Sequence, residues 1–518
     1  MIPKNFPTAI PCYSPTQIYE LETNWFQTND SFGLMQQASW QMAHWIKSNF
    51  ANAQQSVLIA VGRGNNGGDG WGVAYFLTKL CPNWQICVIE VAPPTTDNAQ
   101  QAKALFNGKV VQLSDFLNSQ KTLSFHVDII LDGLFGIGLN KTPIGDFANM
   151  IDWINGYKSR FNGCQVIAID VPSGLNATDG KVYDKLAVKA DITLCLIARK
   201  VGLHLQDAKD YVGQVVDLPM IPIDEQADIF YHTQFPTLPK RLNNSHKGDY
   251  GHVLIIGGNQ LEIGKNQGNG MAGASLLSAK SAFAVGAGKV TVACYANFHN
   301  AIITALPNAM TADLHHQHSV CELIKNVDVV AIGMGLGRDE ASFSLFCEYL
   351  QCAISHDKIC VIDADGLYHL VTLSQNQNSL SKFNPQKVYL TPHASEAGRL
   401  LNTTYQAIDN DKIGAIQQLT EQYGGTWLIK GSQTLVLEHQ ALHICGLGNT
   451  GMATAGMGDV LSGVVAGLLA QSDNLNMDYP LLWSVLLHAR VGDELARKMG
   501  EYALSANEMA MMISETMG

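Results

Sequence analysis

Two series of short Val- and Ile-rich segments, separated by helix-like stretches, constrain this chain more than any other feature. The first series is Ser56–Val61, Gln85–Val91, His126–Leu131, Gln165–Ile169 and Ala190–Ile197. The second is His252–Ile256, Lys289–Cys294, Val327–Ile332, Lys358–Ile362, Lys387–Leu390 and Thr426–Ile429. Apolar strands that alternate with helices build parallel sheets covered on both faces, because a parallel crossover needs a helix to bridge it. No fixed short period relates the two series, so they read as two domains rather than repeats. Between them, Leu218–Asn244 carries Pro219, Pro222, Pro236 and Pro239 with weak periodicity and reads as a linker. The expectation is an α/β chain with domains at 1–235 and 236–518. At 518 residues it is too long for a single hydrophobic core.

Composition narrows the function classes. Hydrophobic residues make up 47% and charged residues 15%, the balance of a globular protein. With 33 basic and 45 acidic side chains the net charge is -12, which argues against a nucleic-acid or anionic-membrane partner. Any phosphate must then be held locally, by backbone N–H groups and a few lysines. The 11 cysteines show no CxxC or Cys/His ligand spacing. Cys87, Cys195, Cys294 and Cys360 fall in apolar runs and read as reduced core residues. The first residues carry no apolar signal-peptide core and no apolar run is long enough to span a bilayer, so the expected location is the cytoplasm.

In the N-terminal half, Val57–Val61 runs into Gly62-Arg63-Gly64-Asn65-Asn66-Gly67-Gly68-Asp69-Gly70, with a helix expected to open at Asp69. A strand feeding a glycine turn at a helix start makes an anion cradle of free N–H groups and helix dipole. The stretch is neither GxGxxG nor a Walker loop. Two more strand ends carry carboxylates: Asp132 leads into Gly133–Leu139, and Asp170 into Val171-Pro172-Ser173-Gly174. Ligands of open parallel sheets bind beyond the carboxyl ends of strands, so these acids are candidates to converge on the glycine loop.

In the C-terminal half, Gly456-Met457-Gly458-Asp459 precedes the apolar helix pattern Val460–Leu469. Consecutive N–H groups at Gly456–Gly458 suit a terminal phosphate, and Asp459 at the helix start suits the base that takes a hydroxyl proton. Upstream, Trp427–Ile429 runs into Lys430-Gly431-Ser432-Gln433-Thr434, which reads either as a phosphate-holding turn or as a hairpin with an exposed lysine. Leu390-Thr391-Pro392-His393 puts a histidine at another strand end. Gly333–Asp339 adds a glycine loop, and Asn259–Gly270 reads as an exposed polar loop.

These motifs carry a resemblance to known families. Gly64–Gly70, Asp132 with its glycine loop, and Asp170–Gly174 together resemble the NAD(P)H-hydrate epimerase (YjeF N-terminal) family. That resemblance implies a Rossmann-like three-layer domain that interconverts the R and S hydrates at nicotinamide C6. It implies substrate contacts at Asn65, Asn66, Gly67, Gly68, Asp69, Gly136, Ile137, Gly138, Leu139, Asn140, Lys141, Thr142 and Asp170. It also implies a K+ site at Asn66, Asp132 and Ser173. A proton-transfer role for Asp170 is a hypothesis from its chemistry.

The stretch from His246–Gly251 through Gly257-Gly258, Met271–Ala274 and Gly286–Gly288 to Asp459 resembles the ribokinase-like, ADP-dependent NAD(P)H-hydrate dehydratase (YjeF C-terminal) family. It departs from the pattern at Ala394-Ser395, at Thr450 and in a longer 259–270 stretch. The resemblance implies substrate contacts at Ala274, Gly337, His393 and Asp459. It implies nucleotide contacts at Lys430, Gly431, Ser432, Gln433, Thr434 and Gly458, with Mg2+ accompanying ADP, and catalysis by Asp459. The implied molecules are NADHX, NADPHX and ADP, converted to NAD(P)H, AMP and phosphate by a lyase, and the implied assembly is a homo-oligomer. The competing reading is a ribokinase-like small-molecule kinase fused to a non-catalytic dinucleotide-binding module.

Overall fold

Every residue of Val57–Val61 is fully buried, which an all-apolar strand requires when helices cover both faces of its sheet. The computed structural model describes residues 6, 8–50, 54–118, 126–223, 227–236, 238–260, 270–376 and 381–517. It divides into two compact units, one spanning Ile10–Ile229 and the other Phe230–Gly518 together with Ile2–Ala9.

The first unit is built on a seven-stranded sheet. Its order is Lys109–Gln112, Gln85–Glu90, Ser56–Val61, Ile129–Gly133, Gln165–Ile169, Ile192–Leu196 and Gln214–Leu218, with all neighbours parallel. Strand order reverses between Ser56–Val61 and Ile129–Gly133, and the crevice beyond such a reversal is where open parallel sheets generally take their ligands. Alternation along the central strand sorts the core. Val57, Ile59 and Val61 pack under the helices Ser31–Phe50, Asn65–Leu80 and Asp97–Leu105. Leu58 and Ala60 pack under Leu113–Asn118 and Asp146–Arg160. The result is the expected three layers. The edge strands Lys109–Gln112 and Gln214–Leu218 lie outside the first apolar series, as does the short parallel pair Ile10–Tyr13 and Arg199–Lys200. Half-exposed edge strands lack the continuous apolar signature of buried ones.

In the second unit, parallel strands run in the order Met310–Asp313, Lys289–Cys294, His252–Ile256, Val329–Ile332, Ile359–Ile362, Val388–Leu390 and Thr426–Ile429. Leu435–Glu438 and Ala441–Cys445 continue the sheet antiparallel. Two helices below the site are locked by glycine. A Cβ at Gly463 of Met457–Leu469 would stand 2.1 Å from the Ser278 carbonyl oxygen of Ala272–Ala284. Of the polar loop expected at Asn259–Gly270, residues 261–269 lie outside the described residues. All eleven cysteines are free, and Cys87, Cys195, Cys294 and Cys360 are buried. Among the described residues no helix is long and apolar enough to cross a membrane.

Candidate active sites

In the first unit the strand Ser56–Val61 passes through Gly62-Arg63-Gly64 directly into the helix Asn65–Leu80, with Gly64 as N-cap. The helix therefore opens one turn before Asp69, the start that the sequence suggested. Glycines that look like a loop are needed inside the helix for close approach. A Cβ at Gly67 would lie 2.1 Å from the Gly62 carbonyl oxygen, and one at Gly68 would lie 2.7 Å from Met35 Cε. Tertiary packing overrides their poor helix propensity.

A cavity of about 530 Å3 opens beyond the reversal point of the sheet. Of the residues expected to touch the dinucleotide, Asn65, Asn66, Asp69, Gly136, Ile137, Gly138, Leu139, Asn140, Lys141 and Asp170 line it. Gly67 and Gly68 face the packing instead, and Thr142 donates a hydrogen bond to Asp184 Oδ2 (2.7 Å) outside the lining. Side chains that the sequence reading did not single out also line the cavity: Tyr19, Glu22, Arg63 and Lys200. Arg63 is exposed and lies over the Phe147 ring, 5.4 Å from its centroid. Two cations directly after the strand Ile192–Leu196, at Arg199-Lys200, were the available signal for Lys200.

Lys200 is 1% exposed. It pairs with Asp170 Oδ1 and donates to the Leu196 carbonyl (2.6 Å). Burial pushes its ammonium down in pKa, but the Asp170 carboxylate together with Cys195 and Glu22 outweighs burial and holds it above the usual value. Asp170 sits at φ 67, a left-handed turn at the strand end, and its Oδ1 also accepts from Leu196 N (3.0 Å). Burial raises Asp69 well above the usual carboxylate range, and the nearby Asp170 and Glu22 add to the effect. Burial and Asp170 likewise raise Glu22. Three acids thus face one ammonium.

Behind the cavity, Asp132 is fully buried. Its Oδ1 accepts from Ser173 Oγ (2.6 Å) and Leu134 N (3.2 Å), and its Oδ2 accepts from Ser173 N (2.8 Å). Burial lifts its pKa to about 6 against the pull of those bonds. Asn66 Nδ2 donates to the Phe135 carbonyl (2.7 Å), and Phe135 N donates to Ser173 Oγ (2.9 Å), so Asn66 and Ser173, with Asp132 bonded to Ser173, gather around the backbone of Phe135.

In the second unit, Lys430–Thr434 is the turn of the hairpin between Thr426–Ile429 and Leu435–Glu438, yet Lys430 is not exposed. Its Nζ bonds Asp363 Oδ1 (2.7 Å) and would lie 3.3 Å from a Cβ at Gly458. Ser462 Oγ donates to the other oxygen of Asp363 and to the Gly458 carbonyl (3.0 Å). Two segments far apart in the chain thereby close on one spot. Ser432 Oγ and Thr434 Oγ1 donate within the turn itself, to Gln433 Oε1 (2.8 Å) and the Gly431 carbonyl (3.2 Å). Burial lifts Asp459 to about 7, Asp363 adding to the rise and Lys430 opposing it.

His393 caps the helix Ala394–Leu400. Its Nδ1 accepts from Ser395 N (3.1 Å) and Glu396 N (3.3 Å), which assigns the proton to Nε2. Burial pushes Glu396 up to about 7. Gly337 N donates to Asp365 Oδ2 (3.0 Å), and Ser278 Oγ of the helix that carries Ala274 donates to the Asp459 carbonyl (2.8 Å). These bonds tie Gly337 to Asp365 and the helix of Ala274 to Asp459, while His393 pairs through the backbone with Lys430 and Asp459 acts on Lys430 by its charge. Asp363 and Asp365 follow the strand Ile359–Ile362, where the strand-end rule applied to Asp132 and Asp170 would have found them.

Comparison with known proteins follows the same division. A family model described as YjeF-related protein N-terminus matches residues 31–202, and one described as NAD(P)H-hydrate dehydratase matches residues 254–515. The chain is 33% identical over 508 residues to a bifunctional NAD(P)H-hydrate repair enzyme of Coxiella burnetii, covering 96% of this chain and 97% of that one. It is 32% identical over 465 residues to the Escherichia coli enzyme of the same description, covering 87% and 83%. A solved ADP/ATP-dependent NAD(P)H-hydrate dehydratase from Bacillus subtilis, co-crystallised with ATP and Mg2+, is 24% identical with a TM-score of 0.45, covering 54% of this chain and 93% of that one.

Proposed function

The chain belongs to the bifunctional NAD(P)H-hydrate repair enzymes, and from that premise we propose which of its residues carry each reaction. It epimerises the R and S hydrates of NAD(P)H and dehydrates the S form. In the first unit, the dinucleotide lies in the cavity along Asn65–Asp69 and Gly136–Lys141, its phosphates toward the N-terminus of the helix Asn65–Leu80 and toward Arg63. Asp170, anchored by Lys200, works at nicotinamide C6. The sheet supports this polarity: Arg63 follows the strand Ser56–Val61, and Asp170 follows Gln165–Ile169, two strands along, or about 10 Å.

A K+ ion fits the residues around the Phe135 peptide. Asp132 is a fully buried carboxylate whose only opposing influences are hydrogen bonds, and an alkali cation supplies the missing positive charge. Asn66, Asp132 and Ser173 would hold it through hard oxygens, and it would fix the loop Gly133–Leu139 that borders the cavity. An epimerase rate that is the same in potassium and in tetramethylammonium buffers would remove this ion from the reading.

In the second unit, Asp459 accepts the proton of the C6 hydroxyl, which attacks the terminal phosphate of ADP held at Gly456–Gly458. The phosphorylated hydrate then expels phosphate from C6 and loses a proton from C5 to give NAD(P)H, leaving AMP. Hydroxide leaves poorly and phosphate leaves well, which explains the need for a nucleotide. Mg2+ bound with the nucleotide neutralises phosphate charge. Lys430, paired with Asp363 and close to Gly458, would face the phosphate that this ion accompanies. The single observation that carries the reading is the approach of Lys430 Nζ to Gly458, because it joins the lysine turn and the glycine–aspartate helix start in one anion site.

The test supplies hydrated NADH and NADPH with ADP or ATP and follows the return of reduced-nicotinamide absorbance. Asp459→Ala is expected to abolish dehydration, and Asp170→Asn to limit repair to the S form. Normal turnover of mixed epimers by either variant would refute the corresponding role.

A further inference from the structure

The cavity of the first unit holds more proton chemistry than one carboxylate at Asp170 uses. Asp69 is 9% exposed, lines the cavity, and has no side-chain hydrogen bond to any described residue. Its position is fixed from both sides. Ser39 Oγ donates to the Asp69 carbonyl (3.2 Å), and a Cβ on the next residue, Gly70, would lie 3.7 Å from Ile169 Cδ1, the residue that precedes Asp170. The helix Asn65–Leu80 thus carries Asp69 across to the strand that ends in Asp170.

Asp170 itself is half committed. Lys200 and Leu196 N both bond its Oδ1, and its Oδ2 has no partner among the described residues. The charged and titratable groups around the pair are Glu22 and Tyr19 from the helix Pro15–Phe26, Cys195 from the strand Ile192–Leu196, and Lys200 from beyond that strand. One ammonium facing three acids cannot stabilise three anions in a buried site, so the cluster retains a proton. The shifts agree, since Asp69 is the acid raised furthest from its usual range.

We propose that Asp69 is the second proton-transfer residue of the epimerase reaction, a neutral carboxyl that protonates the departing C6 hydroxyl while Asp170 Oδ2 receives the proton of the incoming water. This rests on the epimerase reading of the cavity. The proton moves from Asp69 to the hydroxyl oxygen, the C6–O bond breaks, and its electron pair leaves with water. The N1 lone pair forms the N1=C6 double bond. Water then adds at the opposite face of C6, giving up a proton to Asp170, and the π pair returns to N1. One water leaves and one enters, and Asp170 then gives its proton to solvent while Asp69 takes one up, which restores both groups for the next turnover.

The experiment uses the full-length enzyme with R-NADPHX and follows formation of the S epimer by chromatography, in ordinary water and in 18O-water. Asp69→Asn is expected to lower kcat about a hundredfold or more, the usual contribution of a general acid, with KM changed less than about threefold. Each wild-type turnover is expected to place one solvent oxygen on C6. Because replacing a buried acid threatens the fold, the wild-type pH profile gives an independent reading: kcat must fall toward alkaline pH as an acid is lost. Retained 16O, a flat alkaline limb, or an Asp69→Asn variant that loses only KM would overturn the proposal. A wild-type enzyme that does not interconvert the epimers would overturn the epimerase reading itself. Interconversion at an unchanged rate by Asp69→Asn would overturn only the role of Asp69.

Discussion

Lys430→Met separates the structural from the chemical role of the buried ion pair at the dehydratase site. Asp363 is 1% exposed and Lys430 17% exposed, and their atoms are 2.7 Å apart. Removing the ammonium leaves a buried carboxylate whose remaining side-chain bond is from Ser462 Oγ. Breaking a buried pair from one side costs about 3–5 kcal/mol. Protonation caps the loss: forcing a carboxyl to be neutral at pH 7 costs about three pKa units at about 1.36 kcal/mol each, or about 4 kcal/mol. The retained serine bond favours the lower end, about 3 kcal/mol. At about 2–4 °C per kcal/mol, the unit carrying the site should melt about 6–12 °C lower by calorimetry of the full chain. The double variant Asp363→Asn/Lys430→Met removes the stranded charge and should recover more than half of that loss. Dehydratase kcat/KM should not recover with it, because the ammonium that faces Gly458 is still missing, and epimerase activity should stay at wild-type level throughout. If the double variant loses as much stability as the two single variants combined, the two side chains are uncoupled and the reasoning fails.

Three further outcomes follow from the same unit. Asp459 acts as a base only when ionised, and burial lifts it to about 7, so dehydratase kcat/KM should fall as pH drops below about 7; a profile that is level from pH 5.5 to 8 would contradict the assignment. Gly463→Ala forces a methyl to 2.1 Å from the Ser278 carbonyl; it should cost about 1–3 kcal/mol by overpacking and slow dehydration by shifting Asp459 from Ala274, with epimerisation unchanged. Glu438, fully buried, accepts from Leu481 N (3.2 Å) and Leu482 N (3.0 Å), and burial lifts it from 4.5 to about 8. The folded chain therefore holds a proton that the unfolded chain releases between those values, and stability declines as pH rises through that window. Glu438→Gln should remove this part of the decline, so its melting temperature should fall less between pH 6 and pH 9 than that of wild type.

Local pattern made the central strands and both anion loops legible, because burial on two faces forces continuous apolar runs and a phosphate cradle needs adjacent glycines. Edge strands such as Lys109–Gln112 left no such trace. The helix start was misplaced by a turn because Gly67 and Gly68 read as loop until the packing that demands them is visible. The two sites differ in a way that follows from the same logic. At the dehydratase site, the expected cradle and base are consecutive in Gly456–Asp459, and the fold brings the already suspected Lys430 beside them and adds Asp363. At the epimerase site, no four consecutive residues disclose a reaction. Burial first, and then Asp170, Glu22 and Lys200, which reach the cavity from three other elements, shift Asp69. A proton's residence is a property of summed charge and burial, and such sums exist only once the chain has folded. That is why Asp69 and Asp170 were visible as loop and strand-end residues, while Glu22 and the lysine that faces all three acids were not.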